Sequence, residues 1–170
     1  MPEGKSFVWS EMELDMPWIM PGTFIMGSEL SVRGRRAEEM PKTEMKIAKG
    51  FWISSHEITQ SFFSKVMGRN PSSNKVSSYH PVENVSWQDA VTFCYKLSNL
   101  AYKEKKMSRL YSFSLPTEIQ WEYSCNAGSE AIFSSGNELS RKIANFKVPG
   151  QAKGSTLPVG RLLSNNWGLF

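Results

Sequence analysis

The chain has 170 residues, 40% of them hydrophobic and 21% charged, with a formal net charge of +4; this suits one globular domain with a core of its own. No apolar run approaches the roughly 18 residues needed to cross a bilayer, and the start, MPEGKSFVWSEMELDM, has a Lys with no apolar stretch after it, so neither a membrane span nor a secretory leader is expected and the cytoplasm is the expected compartment. Two Cys (Cys94, Cys125) and two His (His56, His80), none at CxxC spacing, exclude a zinc-finger type of site.

Residues 1–17 read as a polar lead-in. Trp18-Ile19-Met20 and Thr23-Phe24-Ile25-Met26 flank Pro21-Gly22, and two apolar runs about a Pro-Gly turn predict a hairpin. Residues 28–43 are charged and predict a loop. Met45, Ile47 and Phe51-Trp52-Ile53 alternate like strands, broken at Lys49-Gly50. Thr59 is placed to cap a short helix carrying Phe62, Phe63, Val66 and Met67. Residues 68–84, rich in Asn, Pro and Ser, predict a long surface loop.

Ser86 opens the clearest helix. Asp89 stands three residues on, a shorter-armed form of the capping box. Trp87, Ala90, Val91, Cys94, Leu97 and Ala101 mark an apolar face at helical spacing, and the helix should end near Tyr102. A second helix follows Leu115-Pro116, with Thr117 as cap, Gln120 completing the box and Gly128 suited to the position after its end. No helix is predicted beyond residue 129. The result is an α+β chain with two main helices, short strands and long loops. Basic residues group at Arg33, Arg35 and Arg36, at Lys103, Lys105 and Lys106, and at Arg141 and Lys142. No nucleic-acid-binding motif accompanies them, so they read as solvated loop and helix-end charges.

Several patterns occur in one order. They are Pro21-Gly22-Thr23-Phe24-Ile25-Met26-Gly27-Ser28, Glu39 and Pro41, Phe51-Trp52-Ile53, and Glu57-Ile58-Thr59. Pro81-Val82-Glu83-Asn84-Val85-Ser86-Trp87-Gln88-Asp89-Ala90 and Leu115-Pro116-Thr117-Glu118-Ile119-Gln120-Trp121-Glu122-Tyr123 follow. Gly136-Asn137, Ala144-Asn145, Pro158-Val159-Gly160 and Asn166-Trp167-Gly168-Leu169-Phe170 close the series. Together they resemble the formylglycine-generating, sulfatase-modifying family across residues 18–170. The resemblance implies a C-type-lectin-like α+β fold, incomplete at this length, with residues 18–170 as a truncated domain. Trp87 and Trp121 are then expected to be buried anchors at the starts of core-facing helices. Two positions depart from the family pattern: Ser114 stands where the family has Arg, and Ser134-Ser135 where it has Pro-Trp.

What the resemblance implies for chemistry is specific. Complete members bind copper through cysteines that follow an R-G-G-S-W stretch, and they bind calcium. Neither cofactor is expected in this chain alone. Soft thiolates select copper, and the two Cys here match structural positions that form disulfides in secreted relatives; they are expected as buried, unreactive thiols. For calcium, Asn145 and the Phe146 carbonyl match one family contact. Residues 145–170 contain no Asp or Glu but do carry Lys147, Lys153 and Arg161, which favours Asn145 as a turn residue. A catalytic role for His56 or His80 would need a nucleophile beside it.

Three functions stay open: a non-catalytic member of the family, one part of a longer or two-chain formylglycine-generating oxidoreductase, and a lectin-like module binding through loops 31–36 or 68–84. The expected partner is a companion chain or further segment, not nucleic acid or a membrane. The isolated chain is expected to be marginally stable or to self-associate.

Overall fold

The computed structural model describes residues 3–32, 34–134, 136–146 and 154–170; Arg33, Ser135, Lys147 and Lys153 lie outside the described residues. The stretch read as a polar lead-in is folded. Phe7–Trp9 (β1) and Leu14–Met16 (β2) pair antiparallel around a turn of 3-10 helix, Ser10–Met12. Phe7, Trp9, Met12 and Leu14 are all buried, Trp9 to 1% exposure. Interleaved charged residues make this hairpin look polar by composition, yet Phe7, Trp9, Met12 and Leu14 turn inward together while Val8 faces out.

The predicted hairpin about Pro21-Gly22 does not form. Trp18–Ile19 (β3) pairs instead with Phe51–Trp52 (β6), and Gly22–Met26 (β4) with Thr43–Ile47 (β5). Residues 18–26 and 43–52 are thus the two arms of one long ribbon. Between the two pairings, three residues of one arm (Ala48, Lys49, Gly50) face two of the other (Met20, Pro21), and the register slips by one. Pro21 has no N–H to give the ladder, so the break falls where pairing is already impossible.

The predicted caps form as read. Thr59 accepts from the Phe62 amide and opens α1, Gln60–Met67, which Gly68 ends in the left-handed region at φ 75°. Ser86 and Asp89 make a reciprocal box at the start of α2, Trp87–Lys103. Thr117 and Gln120 do the same for α3, Glu118–Asn126. Each cap of this kind contributes about 0.5–2 kcal/mol. The Ser86 hydroxyl, and then Arg69, hold the Asp89 carboxyl below the usual carboxylate range. At the end of α3 two successive residues take the left-handed region, Ala127 at φ 46° and, as expected after the helix end, Gly128 at φ 75°.

The faces of α2 and α3 correct the sequence reading. Trp87 is 71% exposed and Trp121 59% exposed, so neither is a buried anchor. The inward face of α2 is set by Phe93, Leu97 and Ala101, and Trp87 lies about 120° around the helix from Phe93. On α3, Tyr123 faces inward, and Trp121, two residues before it, stands about 200° away.

Two cores result. One joins Trp9 and the first hairpin to Phe62, Phe63, Phe93 and Leu97. In it the Phe63 and Phe93 rings stack at 5.4 Å and Phe62 meets Phe93 edge-on at 5.3 Å. The other joins Ile19 and Ile47 to Tyr123 and Leu169. Glu122 and Tyr123 tie α3 to the ribbon. Glu122 accepts from the Gly27 amide at 2.8 Å, and the Tyr123 hydroxyl donates to the Met20 carbonyl at 3.2 Å.

Residues 165–170 are fastened onto this second core. The Asn165 side chain donates to the Ser124 and Cys125 carbonyls at the end of α3 and accepts from the Trp167 and Leu169 amides. Trp167 meets Tyr123 edge-on at 4.8 Å. The Phe170 amide donates to the Ser55 carbonyl at 2.8 Å.

Candidate functional site

An apolar cavity of about 390 Å³ opens between the ribbon, α2 and residues 111–116. Its walls include Trp18, Trp52, Phe93, Cys94, Leu97 and Tyr111. That volume falls in the range of small-ligand sites. Its ionisable lining is Glu3, Cys94 and Tyr111, which offers no pairing of nucleophile and base. A second hollow of about 310 Å³, lined by α2 and by residues 112–115, also reaches Cys94.

The wall at 111–116 has an unusual construction. Tyr111, Phe113 and Leu115 are half-buried, while Ser112, Ser114 and Pro116 are exposed. This is the period-two alternation of a strand, and it is legible in the sequence as Y-S-F-S-L. The Tyr111 ring meets Trp52 edge-on at 5.3 Å, and Phe113 leans on Phe7 at 6.1 Å. Yet this segment pairs with no strand among the described residues.

The two thiols differ in their surroundings. Both are free and half-buried, more open than the sequence reading expected. Cys94 borders both hollows, which leaves it incompletely covered; Cys125 lines neither. Burial pushes the Cys94 thiol above its ordinary pKa. Burial, reinforced by the negative charge of Glu122, does the same at Cys125. A raised pKa means less thiolate at a given pH, and the thiolate is both nucleophile and metal ligand. At about pH 8, iodoacetamide should therefore alkylate both cysteines of the folded chain more slowly than a free cysteine, and denaturant should abolish the difference. Peptide mass spectrometry reads each site; equal rates folded and unfolded would contradict the assignment.

Two family cofactors can be tested against these residues. Copper(I) asks for converging soft thiolates. Here Cys94 borders the two hollows and Cys125 neither of them, and no group of three or more His, Cys, Asp or Glu gathers among the described residues. Among the described residues, the two thiols are not gathered with other metal-ligating groups as a copper centre would require. Calcium asks for six to eight oxygens, usually with carboxylates. Asn145 is exposed and spends its amide nitrogen on the Ser155 carbonyl at 2.9 Å. Its Oδ1 and the Phe146 carbonyl are two oxygens, and residues 145–170 add no carboxylate; this donor set does not complete a calcium site.

His80 is buried in loop 68–84, with Nδ1 2.8 Å from Thr156 Oγ1. Thr156 also accepts from Asn74 at 2.7 Å. With the Val159 amide donating to the Tyr79 carbonyl, these bonds fasten residues 155–159 to the loop. His56 sits beside the Phe170 ring, centroids 6.3 Å apart. Lys42 pairs with Glu29, Arg69 with Asp89 and Lys106 with Glu11, while Arg109 lies over the Tyr102 ring.

Capped helices, a long two-stranded ribbon and extended, side-chain-fastened loops define a C-type-lectin-like α+β fold. The structure of PvdO from Pseudomonas aeruginosa shares it with a TM-score of 0.77 at 22% identity, over 100% of this chain and 71% of that one. A profile of the sulfatase-modifying factor enzyme 1-like domain matches residues 9–170, from within β1 onward, and the chain belongs to that family. It is 34% identical over 105 residues to the formylglycine-generating enzyme of Mus musculus, covering 55% of this chain and 24% of that enzyme. It is 25% identical over 162 residues to chaperone protein LppX of Paenibacillus barcinonensis, covering 71% of this chain and 58% of that protein. The chain thus spans less than two thirds of the length of either relative.

Proposed function

We propose that these residues form the scaffold portion of a formylglycine-generating type of domain and do not themselves carry its catalytic thiols. The observation that supports this is the state of the two cysteines. Cys94 borders the two hollows beside α2 and Cys125 borders neither of them, and each is held toward its protonated form by burial. Oxygen-dependent oxidation of a peptide cysteine, the activity of the complete family enzyme, then depends on a thiol pair from a further segment, in the same polypeptide or a companion chain. Copper would come with that pair. Asn145 and Phe146 could lend at most two oxygens to a calcium ion that other residues complete. The assembly works in the cytoplasm and does not bind nucleic acid.

The test is direct. The purified chain, supplied with Cu(I), oxygen and a Cys-x-Pro-x-Arg peptide, should leave the peptide cysteine unchanged by mass spectrometry. Conversion that disappears in Cys94→Ser or Cys125→Ser would overturn the proposal.

A further inference from the structure

Residues 111–115 form a strand without a sheet. Their side chains alternate inward and outward, and the inward rings are fixed against Trp52 and Phe7. One backbone edge is already occupied. The Phe113 amide donates to Ser98 Oγ at 2.9 Å, and the Tyr111 carbonyl accepts from the Tyr102 hydroxyl. Both partners belong to α2, so the Phe113 N–H and the Tyr111 C=O point toward that helix, while the Tyr111 N–H closes a turn on the Ser108 carbonyl. In an extended chain, successive residues present their N–H and C=O to opposite edges. Ser112 and Ser114 therefore present theirs away from α2, and neither makes a backbone hydrogen bond among the described residues. An exposed strand edge of this kind is a template for another strand.

Beside this edge lies the 390 Å³ cavity, walled by Trp18, Trp52, Phe93 and Leu97. An open edge beside an apolar hollow has the two elements of strand-addition recognition: backbone pairing for affinity and pockets for alternate side chains. A third observation bears on what fills it. The PvdO structure covers this whole chain in fold, while this chain accounts for 71% of PvdO. That fold therefore continues into polypeptide with no counterpart among these residues.

We propose that the edge at Ser112 and Ser114 receives an extended polypeptide segment with apolar side chains at alternate positions, which pairs with the 111–115 backbone and seats those side chains in the cavity. The inference rests on the scaffold reading above and names where and how the further segment docks.

A phage-displayed library of random dodecapeptides, selected on the full chain, supplies the probe. Selected peptides should show apolar residues at every second position. On binding, amide exchange at Ser112 and Ser114 should slow. Ser114→Pro removes one N–H at an exposed position whose backbone makes no bond, and the preceding Phe113 is already extended, as proline requires of its neighbour. It should leave near-UV circular dichroism unchanged and weaken binding roughly tenfold, the loss expected when a hydrogen bond is left unmade. Cys94→Trp, which fills the cavity from α2, should weaken binding independently. Peptides whose affinity ignores both substitutions, or no enrichment over bare beads, would overturn the proposal. A homodimer of the chain that Ser114→Pro dissociates would overturn the choice of occupant. Conversion of the cysteine peptide by the isolated chain would instead sink the scaffold reading, so the two failures are separable.

Discussion

Trp9→Ala should remove a large share of the chain's stability. Trp9 is 1% exposed and sits in the larger core with Phe62, Phe63, Phe93 and Leu97. Removing a buried Trp side chain costs about 3–5 kcal/mol, against a total stability of about 5–15 kcal/mol for an ordinary domain. The indole Nε1 has no hydrogen-bond partner among the described residues, and burying such a donor costs about 1–3 kcal/mol. Trp9→Phe removes the donor and keeps most of the ring. Its net loss should stay below about 2 kcal/mol, since the relieved donor offsets part of the lost area. Urea unfolding followed by circular dichroism reads both variants. If Trp9→Ala fell within about 1 kcal/mol of the parent, the first hairpin would not be part of the core.

Gly50→Ala should cost about 1–3 kcal/mol or more, the usual range for forcing an atom into a filled site. Gly50 lies at the slip between the two halves of the ribbon, where Ala48, Lys49 and Gly50 face Met20 and Pro21. An added Cβ would overlap the Trp18 ring and stand 2.6 Å from the Ile19 carbonyl oxygen. The ring is itself wedged against Trp52, centroids 4.4 Å apart, and the carbonyl belongs to a strand that pairs with β6. Neither neighbour can yield without disturbing the pairing. The expected signs are a lower thermal midpoint and a changed near-UV signal from the Trp18–Trp52 pair. Gly154→Ala, where nothing among the described residues lies within 4 Å of the added atom, serves as the control and should stay within about 0.5 kcal/mol. Equal melting of the two variants would remove the argument.

The family motif L-P-T-E-I-Q-W-E-Y shows how far the residues could be read. Thr117 and Gln120 were legible as a capping box because the box closes within four residues, and the structure closes it. The motif's Trp looked like its anchor. The residues that fasten α3 are Glu122, on the Gly27 amide, and Tyr123, on the Met20 carbonyl and against Phe24. Their partners are about a hundred positions away, beyond the reach of any local pattern. Asn165 went unread for the same reason: its carbonyl acceptors on α3 are 40 and 41 residues back. The Y-S-F-S-L alternation was open to reading, and its missing partner was not, since a strand's pattern does not say whether a neighbour exists.

The sequence by itself determined where the three helices begin, that the chain mixes helices with short strands, and which family it resembles. Those features rest on caps, propensities and ordered motifs that neighbouring residues satisfy. The tertiary structure alone decided that β3 and β4 pair with residues 43–52 and not with each other, that Trp87 and Trp121 face solvent, and that Cys94 borders two hollows while Cys125 lines neither. Each of these is a contest between distant surfaces for the same apolar cover or the same backbone edge, and only the folded arrangement of the whole chain settles it.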